Sequence, residues 1–176
     1  MRIWRTLLAC SLVGLGGCAA PDVTRYAAER PSLDLVRYFT GTTDAWGMFQ
    51  KRNGEVVKRF HVVIEGHEQA GALVLDEHFE YSDGTRQQRV WTLRPIGDGR
   101  WQGTAADVIG TASGSISGNA LHWRYHLLLP VDAHSYDVSF DDWMYLVDDT
   151  TMVNRARMSK FGFTLGEVSL LFRRRN

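Results

Sequence analysis

From Trp46 to the C-terminus, apolar and polar residues alternate with a period of two, in short runs broken by turn signals. That alternation marks strands with one dry face and one wet face. The breaks are Asn53-Gly54, Glu65-Gly66, Asp83-Gly84, Gly97-Asp98-Gly99, Gly118-Asn119, Asp132-Ala133 and Asp148-Asp149. Asn-Gly and Asp-Gly between alternating runs signal hairpins, because tight turns need residues that tolerate positive φ. The pattern predicts nine or ten strands, near 45–51, 55–64, 72–82, 86–95, 100–107, 110–117, 120–129, 134–147, 151–158 and 165–174. No 3.6-residue period is long enough for a crossover helix, so consecutive strands should pair antiparallel as a meander. Upstream, Ser32-Leu33-Asp34-Leu35, Tyr38-Phe39 and Gly41 predict one short helix, with Ser32 as its N-cap and Gly41 as its stop. An open sheet this wide leaves two edges and curls. The expected fold class is therefore all-β, a meander closing into a barrel of 8–10 strands, with a two-sheet sandwich as the alternative.

The same period assigns faces. Inward sets are Phe60, Val62, Ile64; Leu73, Leu75, Glu77, Phe79, Tyr81; Arg89, Trp91, Leu93; Leu121, Trp123, Tyr125, Leu127; Tyr136, Val138, Phe140; and Val168, Leu170, Phe172. The opposite face carries Arg59, His61, Asp76, His78, Glu80, His122, Arg124 and His126. Glu77 and Arg89 interrupt apolar faces of neighbouring strands, at matched distances from the Asp83-Gly84 turn. A buried charge needs a partner, so the two are expected to pair across that hairpin. They are also candidates for a polar anchor in an apolar cavity, with Arg89 placed to receive a carboxylate head group. Asp141 and Asp142 are adjacent, so on a strand they point to opposite faces and form no acid/base couple. Asp142 is the one taken as a site candidate, with Trp91, Trp123 and Tyr125.

Other chemistry is thin. His122 and His126 would share a metal on a helix, but on a strand they stand about 13 Å apart, so no metal site is expected. Gly114-Ser115-Ile116-Ser117-Gly118 centres on Ile116 and lacks the strand-turn-helix of a nucleophile elbow. No catalytic residue and no cofactor site can be read from the chain. Arg173-Arg174-Arg175 is read as a solubilising end.

Composition locates the protein more than it explains it. The chain has 176 residues, with 20 basic and 20 acidic side chains, so bulk charge gives no reason to expect a nucleic-acid partner. Residues 1–17 read as a signal peptide: Arg2 and Arg5 are basic, Thr6–Leu15 is apolar, and Gly16-Gly17 are small. The apolar run is about half of what a spanning helix requires. Leu15-Gly16-Gly17-Cys18 resembles a bacterial lipobox, which implies cleavage before Cys18 and acylation of that residue. Several acyl chains at one residue are enough for a stable membrane anchor. Cysteine usage agrees, since Cys10 and Cys18 are the only two and the first lies in the signal. Ala19 stands where an Asp would favour inner-membrane retention, so the periplasmic face of the outer membrane is expected. Residues 18–31 read as a tether and 32–176 as a single barrel domain.

Seven strings together resemble the DUF3833 family of bacterial lipoproteins across about 33–173. They are Tyr38-Phe39-Thr40-Gly41, Ala45-Trp46-Gly47-Met48-Phe49, Arg89-Val90-Trp91-Thr92-Leu93, Asp107-Val108-Ile109-Gly110-Thr111-Ala112, Asn119-Ala120-Leu121-His122-Trp123-Arg124-Tyr125, Phe140-Asp141-Asp142-Trp143-Met144 and Met158-Ser159-Lys160-Phe161-Gly162-Phe163. The resemblance implies no particular activity. It does imply a lipid context, because members sit near genes for fatty-acid modification. The layout is also similar to lipocalins: a short N-terminal helix, a Trp by the first strand, a meander, and an Arg on the last strand. That likeness implies a calycin-type barrel with Trp46 and Arg173 as its matching pair, although Gly47 follows Trp46 where a lipocalin glycine precedes it. The expected function is binding or handling of a fatty-acyl or other small apolar ligand in the periplasm. The alternatives are a small barrel enzyme, isomerase- or cyclase-like, acting through Glu77 and Arg89, and a ligand-free structural or partner-binding envelope lipoprotein.

Overall fold

Ten strands follow one another with only tight turns between them in a computed structural model that describes residues 21–131 and 134–175. They are β1 (Gly41–Lys51), β2 (Val56–Gln69), β3 (Ala72–Tyr81), β4 (Arg86–Pro95), β5 (Arg100–Thr104), β6 (Val108–Ser117), β7 (Ala120–Val131), β8 (His134–Leu146), β9 (Thr151–Lys160) and β10 (Phe163–Arg174). Every neighbouring pair is antiparallel, and β10 returns to β1, so the sheet closes and no edge is left. The barrel expectation holds and the sandwich does not. The expected signal peptide and Cys18 lie outside the described residues.

Closure fixes the faces. Glu77 lies opposite both Ile64 and Arg89, and Trp123 lies opposite both Gly114 and Asp142. Val62, Ile64, Leu73, Leu75, Trp91, Leu93, Leu121 and Phe172 are buried inside as the alternation requires. Tyr136 shares their parity but sits near the end of β8, where it is half-exposed, with the Lys160 ammonium 4.2 Å above its ring. In β1 the inward residues are Thr43 and Ala45, so Trp46 faces out and stacks on His61. Arg173 is exposed as well, and the lipocalin pair expected of Trp46 and Arg173 does not form inside the barrel.

One end of the barrel is closed by α1 (Leu35–Phe39), whose Leu35, Tyr38 and Phe39 are buried. Its N-cap is Asp34, whose side chain accepts from the Arg37 N–H at 3.0 Å, rather than the expected Ser32. The reason is that Leu33 is already held extended, donating its N–H to the Gly118 carbonyl at 2.8 Å. The helix is left with a single turn. Gly41 then reverses the chain into β1 at φ 101°, a conformation open to glycine at little cost. Gly66 on β2 is the seat of the helix end, since a Cβ there would collide with the Phe39 carbonyl.

Residues 21–31, the described part of the expected tether, are mostly exposed and touch the barrel through Val23 and Tyr26. Val23–Tyr26 form a 3₁₀ turn with Val23 buried, and the Tyr26 ring meets Tyr145 edge-on at 5.2 Å. The opposite end of the barrel, bounded by the turns after β1, β3, β5 and β9, has no such plug among the described residues.

Candidate functional site

The inward positions are not uniformly apolar, and their order along each strand builds a layered interior. From the closed end, β3 presents Leu73, Leu75, Glu77, Phe79 and Tyr81, and β7 presents Leu121, Trp123, Tyr125, Leu127 and Leu129. Running the other way, β8 presents Val138, Phe140, Asp142, Met144 and Leu146. Each strand therefore contributes a polar group at its middle inward position. A large apolar cluster lies towards α1, and a smaller one of Leu127, Val138, Phe140, Ala156 and Met158 lies towards the open end.

Between these clusters the barrel is hollow. A cavity of about 660 Å³ runs from Leu35 and Phe39 to the rim at Lys58, Thr85 and Arg86. That is within the range of small-molecule sites. All six sequence candidates, Glu77, Arg89, Trp91, Trp123, Tyr125 and Asp142, border it. Trp123 reaches its place because Gly114 and Gly103, on the two strands beside it, have no side chains to obstruct the indole. Trp91 meets Tyr125 edge-on at 5.4 Å, and Tyr125 stacks on Phe140 at 4.9 Å.

The expected Glu77–Arg89 pair forms, as the weaker of two contacts that the guanidinium makes. Arg89 and Glu77 face inward and are register partners, and Nη1 stands 3.8 Å from Glu77 Oε2. The guanidinium is committed more closely to Asp107, with Nε donating to both carboxylate oxygens at 3.0 Å and Nη2 donating to Oδ2 at 2.8 Å. A bidentate contact of this kind is the strong form of an arginine–carboxylate pair. Asp107 is available because β5 ends at Thr104 instead of continuing to 107. The Ala105–Asp107 turn is closed by Val108 N–H donating to Ala105 O, and it aims the side chain into the barrel. Sequence periodicity misses Asp107 because it assigns the residue to a strand. The available signal is an inward arginine whose hairpin partner sits on a neighbouring strand while an acid stands in a short Ala-Ala-Asp turn.

Burial dominates the remaining titrations. Glu77 is pushed up to about 7 by desolvation, which outweighs the Arg89 charge, with Asp107 and Asp76 adding to the rise. Asp142 is pushed up to about 8 by desolvation, partly offset by the Tyr125 hydroxyl donating to Oδ2 at 3.3 Å. The other oxygen, Oδ1, is buried with no partner among the described residues. Tyr125 is raised well above its ordinary value by its own burial. Near neutral pH both buried acids thus hold a substantial share of their protons, and the cavity contains protonated carboxyls beside one engaged arginine.

The outer wall is a separate polar system. His122 bonds Asp141 and stacks on Trp143 at 4.1 Å, while His126 bonds Asp137 at 2.9 Å. The two histidines thus serve different carboxylates along one β7–β8 face. Asp141 and Asp142 take opposite faces, as adjacent strand residues must.

Comparison with solved structures places this barrel among known ones. A protein of unknown function from the DUF3598 family of Nostoc punctiforme superposes with a TM-score of 0.62 at 14% identity, over 84% of this chain and 51% of that one. The present chain therefore spans about half the length of the Nostoc protein. An S-type phycobiliprotein lyase from Guillardia theta superposes with a TM-score of 0.59 at 6% identity, over 89% of this chain and 99% of that one. At such identities the likeness is one of fold. No protein of curated function matches the sequence. A family model does match, over residues 12–174, and on it the chain belongs to DUF3833, described as a protein of unknown function.

Proposed function

We propose that the protein binds a fatty-acyl or other small, largely apolar ligand inside the barrel. In this reading it does so as a lipoprotein anchored through acylated Cys18 to the periplasmic face of the outer membrane. The observation that carries the reading is the 660 Å³ hollow, which is bordered by aromatic and aliphatic side chains and reaches the rim at one end. A barrel serving only as structure gains stability by filling such a space, because a void forfeits packing on every side. The lipobox-like Leu15–Cys18 string and the single mature cysteine support the address.

Native mass spectrometry of the full processed protein tests both halves together. Expected are a mass increment for acyl groups on Cys18 and a co-purified lipid that leaves on activation. An unmodified mature terminus would remove the anchor. Absence of lipid, together with failure to bind the neutral apolar fluorophore N-phenyl-1-naphthylamine, would remove the ligand.

A second reading draws on the buried acids. Glu77 near 7 and Asp142 near 8 are poised for proton transfer at neutral pH, as general acid–base groups are. An isomerisation or cyclisation of the bound lipid would use them, with Arg89 tied to Asp107 and acting only on the field. A folded Glu77→Gln variant that retains the wild-type cellular phenotype speaks against this reading.

A further inference from the structure

The ligand-binding reading leaves the chemistry of the ligand's polar end open, and the charges around the hollow constrain it. Among the described residues, three carboxyl groups, Glu77, Asp107 and Asp142, border the cavity against one interior guanidinium. That guanidinium is saturated on one edge by Asp107 and has Glu77 3.8 Å from Nη1. The two rim cations are also engaged, Lys58 with Asp83 at 2.8 Å and Arg86 with Glu80 at 3.5 Å. A carboxylate head group entering the hollow would find no free cation among these lining residues and, once Glu77 and Asp142 ionise, would sit among like charges. It would also have to displace Asp107 from a bidentate contact.

The unspent capacity lies with Asp142, which becomes an acceptor once its own proton has left, near and above pH 8. Asp142 is 5% exposed, lines the hollow, and leaves Oδ1 with no partner among the described residues. A buried oxygen in that state carries an uncompensated desolvation cost, which a donor from the ligand would relieve. Trp91, Trp123, Tyr125 and Phe140 line the same hollow, and aromatic rings attract cations. An unpaired acid within an aromatic wall is a surrounding in which an ammonium group is stabilised twice, by the carboxylate and by the rings.

We propose that this band recognises the ammonium group of a long-chain amine or amine-headed lipid, with Asp142 Oδ1 as acceptor, and that it discriminates against a free carboxylate. The proposal rests on the ligand-binding reading, with the alkyl chain in the apolar layers on either side. Glu77 supplies a second negative charge, Arg89–Asp107 stays closed as a neutral pair, and Tyr125 holds Asp142 Oδ2.

The test is competition against the neutral fluorophore N-phenyl-1-naphthylamine, bound to the full processed protein at pH 8. Dodecylammonium, dodecanoate and dodecanol serve as competitors at physiological ionic strength and below micellar concentrations. Dodecylammonium is expected to displace the fluorophore at concentrations at least about tenfold lower than the other two, as one charge-assisted hydrogen bond provides. Asp142→Asn should abolish most of that preference and leave dodecanol unchanged. Dodecanoate competing as well as dodecylammonium, or full preference retained in Asp142→Asn, overturns the head-group assignment while the binding reading survives. Failure of all three chains to compete overturns the binding reading itself. Should Asp142→Asn not fold, the ranking of the three competitors on wild type decides alone, and Glu77→Gln should weaken dodecylammonium selectively.

Discussion

Replacing Asp107 by Ala removes the carboxylate that the Arg89 guanidinium is built around, and the loss should be large. Arg89 is 15% exposed at its side chain and Asp107 is 26% exposed, so the pair is shielded without being fully dry. Removing one partner of a buried pair costs about 3–5 kcal/mol, because a charge is left without compensation. Two features of this site reduce that figure. Asp107 keeps some contact with water, and Glu77 at 3.8 Å can move to meet the freed guanidinium. A loss of about 2–3 kcal/mol is expected, or roughly 5–10 °C in Tm for a domain of this size. Urea unfolding followed by tryptophan fluorescence measures it. Two further readouts separate this cause from general damage. Glu77, raised to about 7 in the intact protein with Asp107 as one contributor, should titrate lower in Asp107→Ala, as NMR of the side-chain carboxyl would report. The double variant Arg89→Met/Asp107→Leu should recover to within about 1 kcal/mol of wild type, since apolar replacement of a buried pair is often neutral. A single variant losing less than about 0.5 kcal/mol, or a double variant less stable than the single, would refute the dependence of Arg89 on Asp107.

The two raised carboxyls should make the barrel weaker at high pH. Their folded values, about 7 and about 8, lie above the ordinary 4.5 and 3.8, so the native state binds protons more tightly than the unfolded one. Their contribution is complete below about pH 4 and is lost as pH rises towards 8, at up to about 1.4 kcal/mol per pH unit for each group. Urea midpoints should be higher at pH 5 than at pH 8, and Asp142→Asn should flatten that slope; an Asp142→Asn slope equal to wild type would count against the shift. Asp44 acts in the opposite sense: held down to about 2 mainly by Arg175, it gives stability above pH 4 that disappears as pH falls towards 2. Gly66→Ala forces the Phe39 carbonyl away from β2 and should cost about 1–3 kcal/mol by thermal melts, whereas an unchanged melt would show that α1 is not seated there. Phe161 is 89% exposed at φ 51°, so Phe161→Asn should raise stability by up to about 1 kcal/mol, and a loss would mean that the ring has a packing role.

How much of the barrel is legible in the sequence depends on where period-two reasoning applies. It applies along strands, so β4 is predicted at its observed 86–95, and Glu77, Arg89, Trp91, Trp123, Tyr125 and Asp142 all take the inner face that parity gives them. It fails where local composition hides the ladder. β1 begins at Gly41 rather than at residue 45, because Gly41-Thr42-Thr43-Asp44 has no apolar alternation yet pairs with Val63–Gly66. Reading Trp46 through a lipocalin layout then reverses the parity of that strand, and inward Thr43 and Ala45 are missed. It fails again at Asp107, where the decisive side chain sits in a turn that no periodicity describes. Hollowness is beyond the pattern altogether, since an inward aromatic fills or lines a barrel according to the seats beside it, in this case Gly103 and Gly114 next to Trp123.

Why the middle layer is ionic can be argued from cost. A core of this size gains nothing in stability from Glu77, Arg89, Asp107 and Asp142, because desolvating four ionisable groups is at best repaid by their mutual contacts. A well-packed apolar layer at the same level would hold the strands as well, and the large and small apolar clusters on either side already do so. Specifying the fold does not require the layer either, since closure of β10 onto β1 and the turn residues set the register of the meander. The Arg89–Asp107 half of the layer is internally complete and can be understood as compensation for its own charge. The Asp142 half is incomplete: one oxygen has the Tyr125 hydroxyl, and the other is buried with no partner among the described residues. The proposed ligand would complete what the middle layer leaves open, the second carboxyl oxygen of Asp142.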